Sequence, residues 1–436
     1  MKRLHAAVLL ALLVPGAPAA QPLNQQIDKI ADKLEAKVIQ HRRHLHQNPE
    51  LGNREFETAK YIASHLRNLG IEVQTGVAKT GVVGILRGGK PGPVVALRAD
   101  MDALPVTEET GLPFRSKVRT TYDGKEVGVM HACGHDAHVA MLLGAAEVIA
   151  QLKEQWPGTV KFIFQPAEEG APVGEEGGAQ LMIKENVLKK DPRPEVIFGQ
   201  HLVTWFGTAG EIGFRAGGTM ASADDLEIVV EGKGAHGASP WQGVDPIVVA
   251  SQIVLALQTI ASRQMDVTRS PVIVTIGKIE GGTRNNIIPD TVTMKGTLRA
   301  LDRDMRQQLQ DRVRRIAEGV AAAAGAKVKV AFSQHTAYPV VVNDAALTAR
   351  MAPTLRRVTG DKALEVRPVL GAEDFAFYAQ EIPGLYFFLA GRPASAPADG
   401  YPSNHSARFD FDESVLKLGV RGLASLAADY AQGPRP

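Results

Sequence analysis

Four things are scarce in this sequence. The chain has a single cysteine, Cys133, in 436 residues, so no internal disulfide can brace the fold and stability must come from an apolar core. Net charge is almost absent. The formal value is +2, and Lys2 and Arg3 in the first twenty residues account for it, leaving the rest near neutrality. No basic domain or polybasic run is present, which argues against nucleic acid as a partner. Glycine and proline, at 43 and 26, fall well short of the roughly 25–30% of a chain that marks low-complexity sequence. After the first twenty residues no apolar stretch reaches the ~18 residues needed to span a bilayer. What remains is ordinary globular usage, 44% hydrophobic and 22% charged. It suffices for two or three domains at ~150 residues each.

The start of the chain differs from the rest. Lys2 and Arg3 precede an apolar run from Ala6 to Val14, and Ala17-Pro18-Ala19 supplies small residues in A-x-A spacing. That is the layout of a secretory signal peptide over 1–20, too short for a membrane span. A buried first helix would have to accommodate Pro15, Gly16 and Pro18. The expectation is an exported protein, periplasmic or secreted. In an oxidising compartment a lone thiol mispairs unless it is buried or occupied, so Cys133 calls for an explanation.

Hydrophobic periodicity predicts two helices within 26–70, the first carrying Ile27, Ile30, Leu34, Val38 and His41, the second ending at Gly70 as a C′ glycine. Apolar runs at Val82–Leu86, Val94–Leu97, Val160–Phe164 and Val196–Phe198 alternate with helices near 138–153 and 178–189. This predicts an α/β sheet buried on both faces, with chemistry gathered at strand C-terminal ends. The pattern changes over 218–332, where strands at Leu226–Val230, Val272–Ile276, Val292–Leu298 and Val328–Phe332 and two helices run β-α-β-β-α-β. That order predicts a ferredoxin-like unit inserted as a lid into a catalytic domain made of 21–217 and 333–436. A helix near 344–358, a strand near Leu385–Leu389 and a last helix, capped by Asp410 three residues before Glu413, complete the outer domain.

The chemistry concentrates in His131-Ala132-Cys133-Gly134-His135-Asp136-Ala137-His138. Thiolate and imidazole are ligands for zinc and its first-row neighbours. One His alone would more often be structural, but three His and the only Cys within eight residues point to a metal. Glu168 and Glu169 follow an apolar strand. Adjacent carboxylates repel unless one takes a cation or proton, so one can bind metal while its neighbour serves as base to a water. A solvated acidic turn is the plainer alternative, and Glu175 and Glu176 fit it. Asp100 and Asp102 have a similar form, and either could orient a ligand His. His201, after a third strand, and His405, in a Pro-rich loop, matter only as the missing ligands of such a site.

Taken in order, these motifs resemble the aminoacylase and carboxypeptidase clan of dinuclear metallohydrolases, in the branch of hippurate hydrolase and the indole-acetyl-amino-acid hydrolases. The resemblance runs from His44-Leu45-His46-Gln47-Asn48-Pro49-Glu50-Leu51-Gly52 to the last helix. It includes Arg98-Ala99-Asp100-Met101-Asp102, the His131–His138 segment, Gln165-Pro166-Ala167-Glu168-Glu169-Gly170, Gly281-Gly282-Thr283 with Asn286, and Glu373-Asp374-Phe375. It implies two divalent ions (zinc, manganese, cobalt or nickel) on Cys133, His135, Glu169, His201 and His405, with Glu168 as general base and acid. Asp102 is then the residue that orients a ligand, and His131 and His138 fall back to supporting roles. The inserted domain corresponds to a lid and dimerisation domain, so a homodimer is expected. There Gly232-Lys233-Gly234-Ala235-His236 resembles the loop whose His polarises the substrate carbonyl or binds the carboxylate, and Asn286 and Arg299 match positions that meet a substrate carboxylate. The implied reaction is hydrolysis of an N-acyl amino acid, with a dipeptidase or carboxypeptidase, or a non-catalytic binding homologue, as rivals.

The chain departs from the family pattern in three places. Ala235 precedes the lid His236, the segment Leu202-Val203-Thr204-Trp205-Phe206-Gly207 lacks an expected proline, and Ala407 replaces another. No ligand is lost, so the departures bear on pocket shape.

Overall fold

The computed structural model describes residues 22–332, 337–360 and 362–433; the leader-like stretch 1–20 lies outside them. Its centre is an eight-stranded mixed sheet. Four parallel strands form the middle, in the order Pro157–Gln165, Lys90–Asp100, Val196–Val203, Gly384–Ala390. Every residue of the last two is buried, which is why they read as continuous apolar runs rather than alternating ones. Gly81–Arg87 and Glu72–Val77 extend one side antiparallel, while the short Ile212–Phe214 and Ala363–Glu365 close the other.

Helices cover both faces. Helix His135–Gln151 is buried along almost its whole length, sandwiched by Leu23–Gln47 and Leu416–Gln432 in one apolar core. Its start is set by Gly134, whose φ of 94° lies where glycine is at ease and other residues are strained. That turn swings Cys133 and His135 toward the strand ends. Helices Gly178–Lys184 and Phe375–Glu381 pack on the opposite face.

The helix expected over 178–189 stops at Lys184. The expected cap of the last helix is also corrected. Asp410 and Glu413 are drawn to Arg42, at 3.7 and 3.2 Å. A short 3₁₀ turn starts instead at Asp412, whose carboxylate accepts from Ser414 N, and the α-helix proper begins at Leu416. Gly70 does sit just past its helix with φ 71°.

A separate four-stranded antiparallel sheet, ordered Val272–Gly281, Thr291–Ala300, Asp224–Glu231, Lys327–Phe332, carries helices Pro246–Thr259 and Arg303–Ala323. This is the ferredoxin-like β-α-β-β-α-β arrangement. Its own core joins Ile228, Val230 and Met294 to Ile253, Leu309 and Val313. The expectation that no later stretch is long and apolar enough for a membrane span needs correction, because the helical run Pro246–Gln264 meets that test by length and composition. Its inner face, with Val249, Ile253, Leu257 and Ile260, is committed to the inserted unit's core. Two neighbouring segments connect the units, Gly217–Met220 pairing antiparallel with Val341–Asn343.

Candidate metal centre

The parallel strands deliver acids and imidazoles to one edge. Asp100 ends Lys90–Asp100 and Asp102 follows it; Glu168 and Glu169 follow Pro157–Gln165; His201 lies inside Val196–Val203, rather than beyond its end as the apolar run suggested. The loop carrying His405 closes over them. His405 adopts φ 70°, its backbone N–H donates to Ala132 O at 2.8 Å, and Asn404 Nδ2 donates to both Cys133 O and Leu202 O at 2.9 Å.

Two ligand sets share one sulfur, beside others that join His135 to Asp100 and His138 and to Glu168 and Glu169. Cys133, His135 and His201 bring their donor atoms within 4.8 Å of one another, and so do Cys133, Glu169 and His405. Cys133 Sγ lies 3.5 Å from His201 Nε2 and 3.2 Å from His405 Nε2. His405 Nε2 is 3.1 Å from Glu169 Oε1.

Hydrogen bonds fix which ring nitrogen is free. His135 Nδ1 faces Asp102 O at 2.9 Å and Asp102 Oδ1 at 3.2 Å, so it carries the proton and Nε2 keeps its lone pair. That Nε2 is buried without a hydrogen-bond partner, as a metal-binding atom would be. His201 Nδ1 similarly donates to Leu202 O at 2.8 Å, freeing its Nε2. His138 has neither nitrogen to spare, since Nδ1 bonds Asp100 Oδ1 at 2.6 Å and Nε2 accepts from Leu202 N at 2.8 Å. It is a strut between two strand ends. His131 is buried with no hydrogen-bond partner among the described residues, and burial holds it down to about 4.

The local field calls for positive charge. Burial pushes Glu168 well above the usual carboxylate range, with Glu373, Glu169 and Asp374 adding to it. Burial, then Glu169 and Glu168, likewise push the Cys133 thiol up. Burial opposes charge on His135, but Asp100 and Asp102 outweigh it and raise the ring to about 10, so the surrounding acids favour a positive charge at Nε2, which a metal bound there would supply in place of a proton. Crowded carboxylates, a buried thiol and unpartnered imidazole nitrogen together fit divalent cations, and the donor types suit zinc and its neighbours.

Arg98 underlies this edge. Its wholly buried guanidinium reaches Asp100 at 2.6 Å and Glu373 and Asp374 at 2.8 Å each, while Nε donates to Gln165 Oε1 at 2.9 Å. Sequence reading quoted Arg98, Glu373 and Asp374 within motifs but gave them no role. The available signal was a cation inside a strand buried on both faces, which must find partners. Tyr338, equally unforeseen, donates its hydroxyl to Glu168 O from the connecting segment.

Three expected residues stand apart. His236 and Asn286 are exposed on the inserted unit, sharing a corner where Gly237 N donates to Asn286 O at 2.8 Å. Arg299 lies next to the end of strand Thr291–Ala300, opposite Ile273. Among the described residues none of the three has a hydrogen bond or ion pair to the metal-centre residues. His236 Nδ1 accepts from Ala238 N at 3.0 Å, so the neutral ring presents an Nε2–H donor.

Residues 96–429 match the model of peptidase family M20/M25/M40. The chain belongs to that family. Within it, the chain is 43% identical over 410 residues to "Thermostable carboxypeptidase 2" of Saccharolobus solfataricus, covering 94% of this chain and 99% of the relative. It is 42% identical to "IAA-amino acid hydrolase ILR1-like 2" of Arabidopsis thaliana, covering 90% and 85%. Among solved structures, this M20 enzyme resembles a Bacillus subtilis protein described as a dinuclear metal binding peptidase of the same family, with TM-score 0.76, 35% identity and coverage of 91% and 98%. It is thus an amide-bond hydrolase with a mixed α/β sheet and an inserted α+β unit.

Proposed function

We propose that this enzyme hydrolyses N-acyl amino acids, using two divalent ions held by Cys133, His135, Glu169, His201 and His405. One observation carries the reading: Glu168 is buried against the ligands, its Oε2 3.7 Å from His135 Nε2, and although it groups with His135 and Glu169 it lies outside both sets that share Cys133. A storage site needs ligands; it does not need a base. Bound there, zinc, manganese, cobalt or nickel would supply Lewis acidity that polarises a carbonyl and acidifies water toward pKa ~7.

The chain's residues do the rest. Glu168 takes the proton of the attacking water and returns it to the leaving amine. Asp102 keeps the His135 proton on Nδ1. His236, through Nε2–H, stabilises the developing oxyanion, and Asn286 and Arg299 receive the α-carboxylate, Arg offering a planar fork. The relative named as an amino acid conjugate hydrolase supports this reading. The carboxypeptidase name of the 43% identical relative supports a second, cleavage of peptides.

Trp241, Ile247, Val248, Leu255, Ile279 and Ile287 leave apolar surface exposed on the inserted unit, in support of a homodimer formed through it. Export remains our proposal from the leader-like start. The deciding experiment is a panel of N-acetyl, N-benzoyl and N-indoleacetyl amino acids with dipeptides, run with each metal added. The account expects the N-acyl compounds to be turned over fastest; faster dipeptide cleavage would select the second reading.

A further inference from the structure

Beside the metal centre lies a cavity of about 220 Å³ whose two walls differ in character. One wall is the chemistry, with Cys133, Glu168, Glu169, His201 and His405; the other is apolar, with Val203, Trp205, Met220, Val369 and Phe388. We propose that Trp205 and Phe388 form the subsite for the substrate's acyl group and select a flat aromatic acyl over acetyl. The inference rests on the N-acyl reading above and adds to it the class of acyl group.

Three observations carry it. Phe388, Val203 and Met220 are buried, but Trp205 keeps 47% of its surface exposed, leaving ring area that a ligand in the cavity could cover. Its ring meets that of Phe388 edge-on, centroids 5.3 Å apart at 70°, so a buried aromatic backs it on one side. Trp205 also follows two residues after strand Val196–Val203, which carries His201, so ring and ligand are close neighbours along the chain.

The cavity discriminates between the halves of the substrate. No lysine or arginine lines it, so an amino acid carboxylate would find no counter-ion on the apolar wall, whereas an uncharged acyl group would. The volume equals roughly seven waters at ~30 Å³ each, room for a benzoyl-sized group. An acetyl group would leave most of the Trp205 ring wet and gain little from it.

The test compares kcat/KM for N-benzoyl and N-acetyl derivatives of the same amino acid in the metal-loaded wild type, Trp205→Ala and Trp205→Phe. The wild type should prefer benzoyl. Trp205→Ala should lower the benzoyl-to-acetyl ratio at least about tenfold, mostly through KM, the scale expected of a lost apolar contact, while Trp205→Phe keeps most of the preference. Calorimetry should show benzoate binding weakened by Trp205→Ala as well, a readout independent of turnover. A ratio unchanged within about twofold in Trp205→Ala, or a wild type that prefers acetyl, overturns the subsite and leaves N-acyl hydrolysis standing. A wild type that cleaves only dipeptides overturns both.

Discussion

The Nε2 atom of His405 lies 3.2 Å from the sulfur of Cys133, although 272 positions separate the two residues in the chain. Neither group has reason to be there for packing alone. A cation between them would turn the chain's lone thiol into a ligand and thereby protect it. The metal-loaded native protein should therefore leave Cys133 unreactive toward thiol reagents. Chelation should abolish hydrolysis and make that thiol measurably more reactive, though slowly because burial and the neighbouring carboxylates hold it protonated, and both effects should reverse on adding metal back.

Asp102 acts on the centre through His135, fixing the proton on Nδ1. Substitution Asp102→Ala should weaken metal retention about 10- to 100-fold, the usual scale for losing a group that orients a metal ligand. Metal titration with a competing chelator measures this. Unchanged affinity would place the orienting role on the Asp102 backbone carbonyl alone.

Arg98 is the counter-ion of three buried acids. Removing one partner from a buried ionic network leaves uncompensated charge and typically costs about 3–5 kcal/mol. Arg98→Met should therefore lose stability on that scale in denaturant unfolding, with metal content falling in parallel as Asp100 and His138 shift.

Acid sensitivity should come partly from outside the site. His41 shares a 2.6 Å hydrogen bond with Tyr61, and burial, then His65 and Lys37, hold it down to about 3 against an ordinary value of 6.5. Below pH 6.5 the unfolded chain takes up a proton that the fold excludes. This contribution to stability is present above that pH and is lost as pH falls toward 3, at up to about 1.4 kcal/mol per pH unit. His41→Gln should flatten the wild-type loss of stability across that window in denaturant unfolding.

How far the sequence revealed all this depends on the kind of signal. Cys133, His135, Glu168 and Glu169 stand out because a crowded loop and a strand end concentrate reactive residue types among apolar runs, whereas His201 and His405 entered only as the missing ligands of such a site. His138 was expected in a supporting role, and its bonds to Asp100 and Leu202 agree with that; the role of Arg98 did not stand out, because it depends on which partner each atom meets across the sheet. The capping-box reading at Asp410 failed for a similar reason: Arg42, nearly four hundred residues earlier, competes for both acids. The reach of His236, Asn286 and Arg299 depends on how the inserted unit is placed, and local periodicity carries no information on that. Trp205 is notable in the sequence only for lying in a segment without an expected proline, because its contact with Phe388 joins it to a strand far later in the chain.

The central claim is that Glu168 works as the base of an assembled metal centre. Glu168→Gln keeps the shape and removes the proton acceptor. The account predicts wild-type metal content with hydrolysis of N-acyl amino acids reduced by about 10²–10⁴-fold, the usual worth of a positioned base. Activity near the wild-type level in the metal-loaded variant would contradict it.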